Sequence, residues 1–183
     1  MITVIAEHSV DLDLLQKESK VLDIGCRGFL FTDEMTRLGY NVFPVDIDQL
    51  PENRPYYRVA ITDYDGKCGI HYENDKQATR IKEGTEASCF TLESFSSACG
   101  VDVWDLIKID IEGAELQVIQ SLKKAPAKQL SIEFHLHTGI YGVNEVRLME
   151  AKLSALGYQT VSHEMTAQHG AGMNYWDSLF ILK

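Results

Sequence analysis

Short apolar segments that each carry an aspartate at or near their carboxyl end constrain the fold of this chain most strongly. They lie at 20–24 (KVLDI), 41–46 (NVFPVD) and 105–110 (DLIKID), and an apolar repeat with helical spacing at 31–38 separates the first two. Buried strands that alternate with helices are typical of an α/β protein whose mostly parallel sheet is covered on both faces. We therefore predict this fold class.

The rest of the chain continues the alternation, and its last two strands are joined by a loop in which we expect no helix. That ending predicts a final strand that runs antiparallel to its neighbours. The other expected strands are 57–62, a hairpin strand at 68–72, 129–135, 158–162 and 178–182. The other expected helices are 8–19, 91–99, 113–124 and a long helix marked by apolar residues at 146–156, and a polar surface loop is expected at 73–87.

Length, charge and cysteine usage narrow the class of protein. The 183 residues suit a single domain, in which residues 1–19 form a helical lead-in. Lys and Arg number 17 against 27 Asp and Glu, and this net charge of -10 argues against binding to nucleic acid or to an anionic membrane. Because we find neither an apolar run of about 18–20 residues nor a signal peptide, we expect a cytoplasmic protein. The four scattered cysteines are expected to be reduced.

Polar residues at the strand ends are the candidates for ligand binding, because ligands of such sheets bind beyond the carboxyl ends of the strands. The loop after the first strand contains Asp23, Gly25, Cys26, Arg27 and Gly28. It lacks the GxGxxG pattern of a pyrophosphate-binding loop, and an acid two residues before a glycine suits a ligand with a positive amino group. The alternative is a plain turn in which Asp23 caps the following helix.

Asp46 ends the second strand, 23 residues after Asp23. A carboxylate in this place accepts two hydrogen bonds from a ribose diol. Asp48 competes for that role, and an acid of a surface loop is the alternative. Together, Asp23 and Asp46 favour a nucleoside ligand that carries no phosphate.

Three acids follow the strand at 105–110, namely Asp110, Glu112 and Glu115, and the last lies on the apolar face of the next helix. A carboxylate on an apolar face is unusual unless it has a partner. The alternative is that Glu112 and Glu115 merely complement the dipole of that helix.

Alternation along the strand at 129–135 places Glu133 and His135 on one side, at the carboxyl end of the strand. Histidine acts as a general base near neutral pH, so His135 is a candidate for that role. It is also a candidate metal ligand beside Asp110 or Glu112. A structural histidine is the alternative.

Six segments occur in a characteristic order: VLDIG (21–25), VFPVD (42–46), VAITDYDG (59–66), FTLESF (90–95), LIKIDIEGAELQVIQSL (106–122) and SIEFH (131–135). In this order they resemble the FkbM-type family of S-adenosylmethionine-dependent methyltransferases, within the Rossmann-like class I methyltransferases. The fifth segment is the most specific of the six. The resemblance covers roughly residues 20–183.

The resemblance implies a seven-stranded sheet in the order 3-2-1-4-5-7-6, with strand 7 antiparallel and helices on both faces. It implies S-adenosylmethionine across the ends of the first two strands, with Asp23 and Gly25 near the methionine part and Asp46 on the ribose. Asp63 would face the adenine edge, and Asp110 would approach the sulfonium. It also implies methylation of a hydroxyl oxygen on a small acceptor such as a sugar or a natural product.

The loop after the first strand departs from the family pattern. Arg27 stands where the family usually has Asn, Gly28 lies one place early, and Phe29 replaces a later glycine. These differences predict a loop of another shape or a narrower pocket.

The expected reaction is an in-line transfer of the methyl group to a hydroxyl oxygen that a base or a metal activates. His135 is the first candidate for the base and Glu112 the second, and Asp110, Glu112 and His135 are candidate ligands of magnesium or manganese. The main alternative is a non-catalytic module that binds S-adenosylmethionine or another nucleoside. A nicotinamide-dependent oxidoreductase is disfavoured by the missing GxGxxG, and a nucleic-acid methyltransferase by the acidic charge. Acceptor contacts are expected in loops at 73–90 and 163–176.

Overall fold

The computed structural model of this protein describes residues 1–72, 79–168 and 173–183. The strands, in chain order, are β1 (Ile2–Ile5), β2 (His8–Asp11), β3 (Lys20–Ile24), β4 (Asn41–Asp46), β5 (Tyr57–Arg58), β6 (Ala60–Thr62), β7 (Gly66–Tyr72), β8 (Thr79–Thr91), β9 (Trp104–Ile109), β10 (Ala127–His135), β11 (Tyr158–Gln168) and β12 (Met173–Leu182). The α-helices are α1 (Leu30–Arg37), α2 (Leu92–Ala98), α3 (Glu115–Ser121) and α4 (Val143–Ala155), and short 3-10 helices lie at Leu12–Leu14 and Leu136–Thr138.

The main sheet has the strand order β5-β4-β3-β9-β10-β12-β11. Neighbouring strands from β5 to β10 are parallel, and β12 is antiparallel to both β10 and β11. Numbered along the chain, these strands run 3-2-1-4-5-7-6, which is the order that the family resemblance implies. The predicted α/β class with a mostly parallel sheet is confirmed.

Alternation along the central strands buries apolar side chains on both faces of this sheet. Leu22 of β3 and Ile107 of β9 face a cluster that includes α2, α3 and α4, whereas Val21 and Leu106 face α1 and the N-terminal segment. All four side chains are fully buried. Burial of a side chain of this kind contributes about 1.5–3 kcal/mol, so packing on both faces holds the ends of β3 and β9 firmly beside each other.

The N-terminal segment is a β-hairpin of β1 and β2, and the predicted helix at 8–19 is wrong. Contacts with distant residues determine this structure. The Ser9 N–H donates to Asp177 Oδ2 (3.2 Å), and the Asp11 N–H donates to Gln129 Oε1 (3.0 Å). The intrinsic preference of a polar stretch for the helix is weak, and tertiary contacts of this kind override it.

The predicted strand at 57–62 is divided between two sheets. β5 stays in the main sheet, whereas β6 joins a second sheet of order β6-β8-β7, in which β8 is parallel to β6 and antiparallel to β7. The predicted loop at 73–87 is wrong from the start of β8 onward, and residues 73–78 lie outside the described residues. Ala87 and Cys89 are buried in the cluster between β7 and β8, and their polar neighbours conceal this pattern in the sequence.

The final two strands are longer than the predicted strands at 158–162 and 178–182. The acceptor loop expected at 163–176 is therefore mostly strand, and residues 169–172 lie outside the described residues. Among the helices that the structure describes, none is long and apolar enough to cross a membrane.

Candidate functional site

Gly25 allows the ends of β3 and β9 to meet. Its φ of 85° is left-handed, and a Cβ atom here would lie 1.8 Å from the carbonyl oxygen of Asp110, so a side chain has no room. The Gly25 N–H donates to Val45 O (2.9 Å), and the Asp110 N–H donates to Ile24 O (3.1 Å). These contacts hold the ends of β3, β4 and β9 around one point.

Two adjoining cavities open at this edge of the sheet. The first, of ≈ 260 Å³, is called the strand-end cavity, and its lining includes Gly25, Arg27, Val45, Asp46, Asp48, Ile61, Ile81, Asp110 and Glu112. The second, of ≈ 130 Å³, is called the hairpin cavity, and its lining includes Ala6, Glu7, His8, Asp23, Cys26, Arg27, Lys108, Asp110 and Glu133. Arg27 and Asp110 line both cavities.

Asp46 presents a buried carboxyl to the strand-end cavity, as expected for a residue that ends β4. The side chain is mostly buried, and its Oδ1 accepts a hydrogen bond from the Asp48 N–H (2.8 Å). Burial raises the pKa of Asp46 to about 6. The carboxyl lines a cavity whose walls include the apolar side chains of Ile61 and Ile81.

Asp63 does not join this site in the part of the chain that the structure describes. It is exposed, accepts a hydrogen bond from Thr62 Oγ1 (3.0 Å) and lines a separate cavity of ≈ 490 Å³ beside α2. The reason is that β6 leaves the main sheet, so the residue after β6 does not reach the end of β4. Ile61 and Ile81 line the strand-end cavity, whereas Asp63 does not.

Asp23 is completely buried and already paired with Lys108. Thr32 Oγ1 donates to Asp23 Oδ2 (2.5 Å), and Lys108 Nζ lies 3.2 Å from Asp23 Oδ1 and donates to Gly25 O (2.6 Å). Burial by itself lowers the pKa of this lysine, but the charges of Asp110 and Asp23 raise it above its usual range. Sequence reasoning missed Lys108, although a lone lysine in an apolar strand almost always has a charged partner.

Asp110 lies at the centre of the charged groups. Its Oδ2 is 3.1 Å from Lys108 Nζ and 3.7 Å from His8 Nε2, and its Oδ1 is 3.4 Å from His135 Nε2. Burial alone would raise the pKa of this carboxyl, but the positive charge of Lys108 and the histidines hold it well below its usual range. A carboxylate therefore lies where the two cavities adjoin. The hairpin residue His8 was also missed, because the segment around it was predicted to be helical.

His135 is held between carboxylates on both sides of its ring. Glu115 Oε1 lies 2.8 Å from Nδ1, and Glu112 Oε2 lies 3.7 Å from Nε2, on the side of Asp110. Burial lowers the pKa of this almost fully buried imidazole, but the carboxylates, Glu115 first, raise the pKa to about 10. The ring is therefore protonated near neutral pH, and this disfavours the expectation that His135 accepts a proton from a substrate.

Glu115 organises the loop between β9 and α3. Its Oε1 accepts from the N–H groups of Ile111 and Gly113 (both 3.2 Å), and its Oε2 accepts from the Tyr141 hydroxyl (2.8 Å). Glu112 and Gly113 have positive φ values of 55° and 107°, so α3 begins at Glu115 and not at the predicted residue 113. A buried carboxylate on an apolar helix face needs hydrogen-bond or charge partners, and Glu115 has them in the loop backbone, His135 and Tyr141.

Glu112, the second candidate for the base, lines the strand-end cavity and is partly exposed. Burial raises the pKa of its carboxyl, and the charge of His135 opposes that increase. This shift makes Glu112 a better proton acceptor than a carboxyl with its ordinary pKa, whereas His135 already holds its proton.

Two groups of side chains at this edge could hold a metal ion. Ligand atoms of Asp110, Glu112 and His135 lie within 4.8 Å of one another, and so do those of His8, Asp110 and Glu133. In the present arrangement the atoms of the first group form ion pairs. A metal at Asp110, Glu112 and His135 stays a prediction.

The unusual loop after β3 leaves both cavities open. Gly28 (φ 76°) and Phe29 (φ 58°) adopt left-handed conformations, and the Phe29 ring turns inward against Tyr56 (centroids 6.2 Å apart). The guanidinium of Arg54 lies 4.3 Å from the centre of the Phe29 ring. Phe29 is thus packed away from the described lining of both cavities, as is expected of a loop with another shape.

Cys26 is buried, and its N–H donates to Val45 O (3.1 Å).

Known proteins resemble this chain in sequence pattern and in fold. The family model of the methyltransferase FkbM domain matches residues 26–160. Two solved structures share the fold: 1,6-didemethyltoxoflavin-N1-methyltransferase from Burkholderia thailandensis (TM-score 0.53, 12% identity, 91% of this chain and 72% of that chain) and TrmK from M. capricolum (TM-score 0.52, 14% identity, 94% of this chain and 68% of that chain). Both were solved with S-adenosylhomocysteine bound. No curated protein matches the sequence of this chain.

Proposed function

Because this chain belongs to the FkbM methyltransferase domain family, we propose that it transfers the methyl group of S-adenosylmethionine to a hydroxyl oxygen of a small acceptor, such as a sugar or a natural product. The observation that carries the proposal is the strand-end cavity, in which the buried carboxyl of Asp46 lies among apolar walls at the end of β4. A carboxyl in this place suits the two hydroxyls of a ribose.

The strand-end and hairpin cavities would together hold the cofactor. Ile61 and Ile81 would line the adenine site, and Asp46 would accept hydrogen bonds from the ribose hydroxyls. The hairpin cavity would hold the amino-acid end, beside Arg27 and Asp110, which line both cavities. The carboxylate of Asp110 would attract the positive charge of the sulfonium.

The reaction forms one bond between the acceptor oxygen and the methyl carbon, and the bond between that carbon and sulfur breaks. The bonding electrons stay on sulfur, so S-adenosylhomocysteine leaves as a neutral thioether, and the hydroxyl proton passes to a base. We assign the base to Glu112, because it lines the strand-end cavity, whereas His135 is already protonated. The protein contributes mainly by holding the two reactants in line.

Calorimetry with S-adenosylhomocysteine tests the cofactor site. We expect the wild type to bind and Asp46→Asn to raise the Kd about tenfold or more, since hydrogen bonds to a charged acceptor contribute about 1.5–3 kcal/mol. Asp102→Asn is the control, because Asp102 is an exposed acid paired with Lys124 away from both cavities, and it should change the Kd less than about twofold. A wild type that does not bind S-adenosylhomocysteine would contradict the proposal.

Turnover separates an enzyme from a non-catalytic binding module. Labelled S-adenosylmethionine is offered with a panel of hydroxylated sugars and natural products, with and without a chelator. The proposal is supported if the wild type transfers the methyl group and Glu112→Gln lowers the rate of transfer at least about tenfold. Binding of the cofactor without transfer to any acceptor favours the module, and loss of activity with the chelator supports the predicted metal.

A further inference from the structure

The hairpin of β1 and β2 contributes to the site, although it precedes the part of the chain that the family model matches, residues 26–160. Three of its residues, Ala6, Glu7 and His8, line the hairpin cavity. Asp177, which contacts His8 from the other side, also lies beyond the matched residues. The family pattern alone therefore does not account for this wall of the cavity.

His8 is fixed between two carboxylates. Its Nε2 lies 3.7 Å from Asp110 Oδ2, and its Nδ1 lies 3.6 Å from Asp177 Oδ1. The side chain is almost fully buried, and its ring meets the Phe31 ring edge-on with centroids 5.7 Å apart. Asp177 is itself held by the N–H of Ser9, the residue after His8. These contacts limit the orientations of the His8 ring, which in turn contacts Asp110.

The turn of the hairpin is held in an unfavourable conformation. Ala6 and Glu7 have φ values of 46° and 72°, in the left-handed region that residues other than glycine rarely adopt. Such backbone persists where the surrounding structure determines it, and it is concentrated at functional sites. Here the strained residues lie on the cavity wall itself.

The charges of the hairpin cavity suit a zwitterion. Lys108 and Arg27 supply positive charge, and Asp23, Asp110 and Glu133 supply carboxyl groups, in a space of ≈ 130 Å³. An α-amino acid carries one ammonium and one carboxylate group close together, and this lining holds charged groups of both signs, among which Lys108 is shared with Asp23 and Asp110.

We propose that His8 of the N-terminal hairpin is a positioning residue that acts through Asp110 and so favours binding of the amino-acid end of the nucleoside ligand. This inference rests on the proposed function, since it assumes that the strand-end cavity binds the adenosine part. It predicts that substitutions of His8 and Asp177 weaken binding of the amino-acid end far more than binding of the adenosine part.

Two ligands separate the hairpin from the rest of the site. S-adenosylhomocysteine carries the amino-acid end, whereas 5′-methylthioadenosine has the same adenosine and a thioether but no amino acid. We expect His8→Phe, which keeps a ring beside Phe31 but removes both nitrogens, to raise the Kd for S-adenosylhomocysteine about tenfold or more. The Kd for 5′-methylthioadenosine should change less than about twofold. His71→Phe, at an exposed histidine of β7, is the control and should change neither Kd.

The outcomes distinguish this inference from the proposed function. Equal weakening of both ligands by His8→Phe, or no weakening of either, overturns the role of His8. A wild type that binds both ligands equally well would show that the hairpin cavity adds no affinity for the amino-acid end, and it would overturn this inference. A wild type that binds neither ligand would contradict the proposed function. If circular dichroism shows that His8→Phe does not fold, Asp177→Asn replaces it, and we expect the same change in the two Kd values. This substitution removes the negative charge beside the His8 ring and keeps the size of the Asp177 side chain.

Discussion

Single buried carboxyls control the chemistry of this site, and Glu115 is the clearest case. It is fully buried, yet its two oxygens meet four donors, two of them from His135 and Tyr141. Because a buried ion pair that loses one partner leaves an uncompensated charge, we expect Glu115→Gln to lower the free energy of unfolding by about 3 kcal/mol at neutral pH. Urea denaturation followed by circular dichroism measures this change.

Glu145→Gln is the matched control for that experiment. Glu145 also accepts a backbone N–H, that of Gly142 (2.8 Å), but it lies at the start of α4 with no imidazolium beside it. We expect its loss to cost about 1 kcal/mol or less. Equal losses in the two variants would show that the charge of His135 does not depend on Glu115.

The charge of His135 also makes stability depend on pH. The folded pKa of about 10 lies above the ordinary value of 6.5, so the folded state holds the proton more tightly than the unfolded state. This contribution is fully present below pH 6.5 and is lost as the pH rises toward 10. We expect His135→Gln to flatten the fall of the unfolding free energy between pH 7 and 10, and a wild-type curve that is flat in this window would refute the assignment.

Asp46 gives ligand binding a pH dependence of its own. Its pKa of about 6 in the free protein means that a proton must leave before the carboxylate can accept both ribose hydroxyls. We expect the Kd for 5′-methylthioadenosine to rise by up to about tenfold per pH unit below pH 6 and to level off above pH 7. Calorimetry between pH 5 and 8 measures this profile. With Asp46→Asn the profile should be flat, and a variant that retains the wild-type profile would assign the proton to another group.

At the scale of elements, sequence pattern succeeded where an element depends on its own apolar residues. β3, β4 and β9 are mostly apolar strands, and Asp46 and Asp110 at the ends of β4 and β9 line the strand-end cavity, as predicted. The helix predicted at 8–19 failed because Asp177 and Gln129, more than 100 residues away, bind the backbone of β2. Spacing along the chain cannot reveal such partners.

The same limit applied to the site. The family resemblance implied that Asp63 faces the adenine edge, and the departure of β6 into the second sheet keeps this residue out of the described lining of the strand-end cavity. His135 was judged by the usual pKa of histidine, and the carboxylates that reverse its role come from a loop and a helix that fold against it. Of the two missed residues, Lys108 and His8, the sequence indicates only Lys108, because a charged residue within an apolar strand needs a charged partner.

The hairpin turn offers a test of strain at the level of an element. A two-residue turn with both residues at positive φ strongly prefers Asn-Gly. The left-handed conformation of Ala6 and Glu7 costs about 1 kcal/mol or more for each residue. We expect the double substitution Ala6→Asn with Glu7→Gly to raise the free energy of unfolding by about 1 kcal/mol. Thermal and urea denaturation measure it. The double substitution Glu52→Asn with Asn53→Gly, in an exposed segment without positive φ, should give no gain, and a destabilised hairpin variant would show that the turn is not strained.

For the whole molecule, part of the acidic net charge lies where a ligand would bind. Asp23, Asp46, Asp110, Glu112 and Glu133 line the two cavities, and Lys108 and Arg27 are the cations in the described lining. A phosphate entering this edge of the sheet would meet more carboxyl groups than cations, whereas a sulfonium and an ammonium would be attracted. The distribution of charge thus favours a nucleoside cofactor without phosphate over a nucleotide or a nucleic acid.

The same charge disfavours nucleic acid as the acceptor. A net charge of -10 opposes the electrostatic attraction that gives non-specific binding at a Kd of about 10⁻⁴–10⁻⁶ M. We expect fluorescence anisotropy with labelled tRNA to show no binding up to about 10 μM protein. In a transfer assay, we expect labelled methyl groups to appear in a hydroxylated small molecule and not in the tRNA. A lysozyme sample, which is basic, serves as the positive control for non-specific binding in the same buffer. Binding of tRNA that weakens as salt is added would reveal a local basic surface and would contradict the small-molecule acceptor.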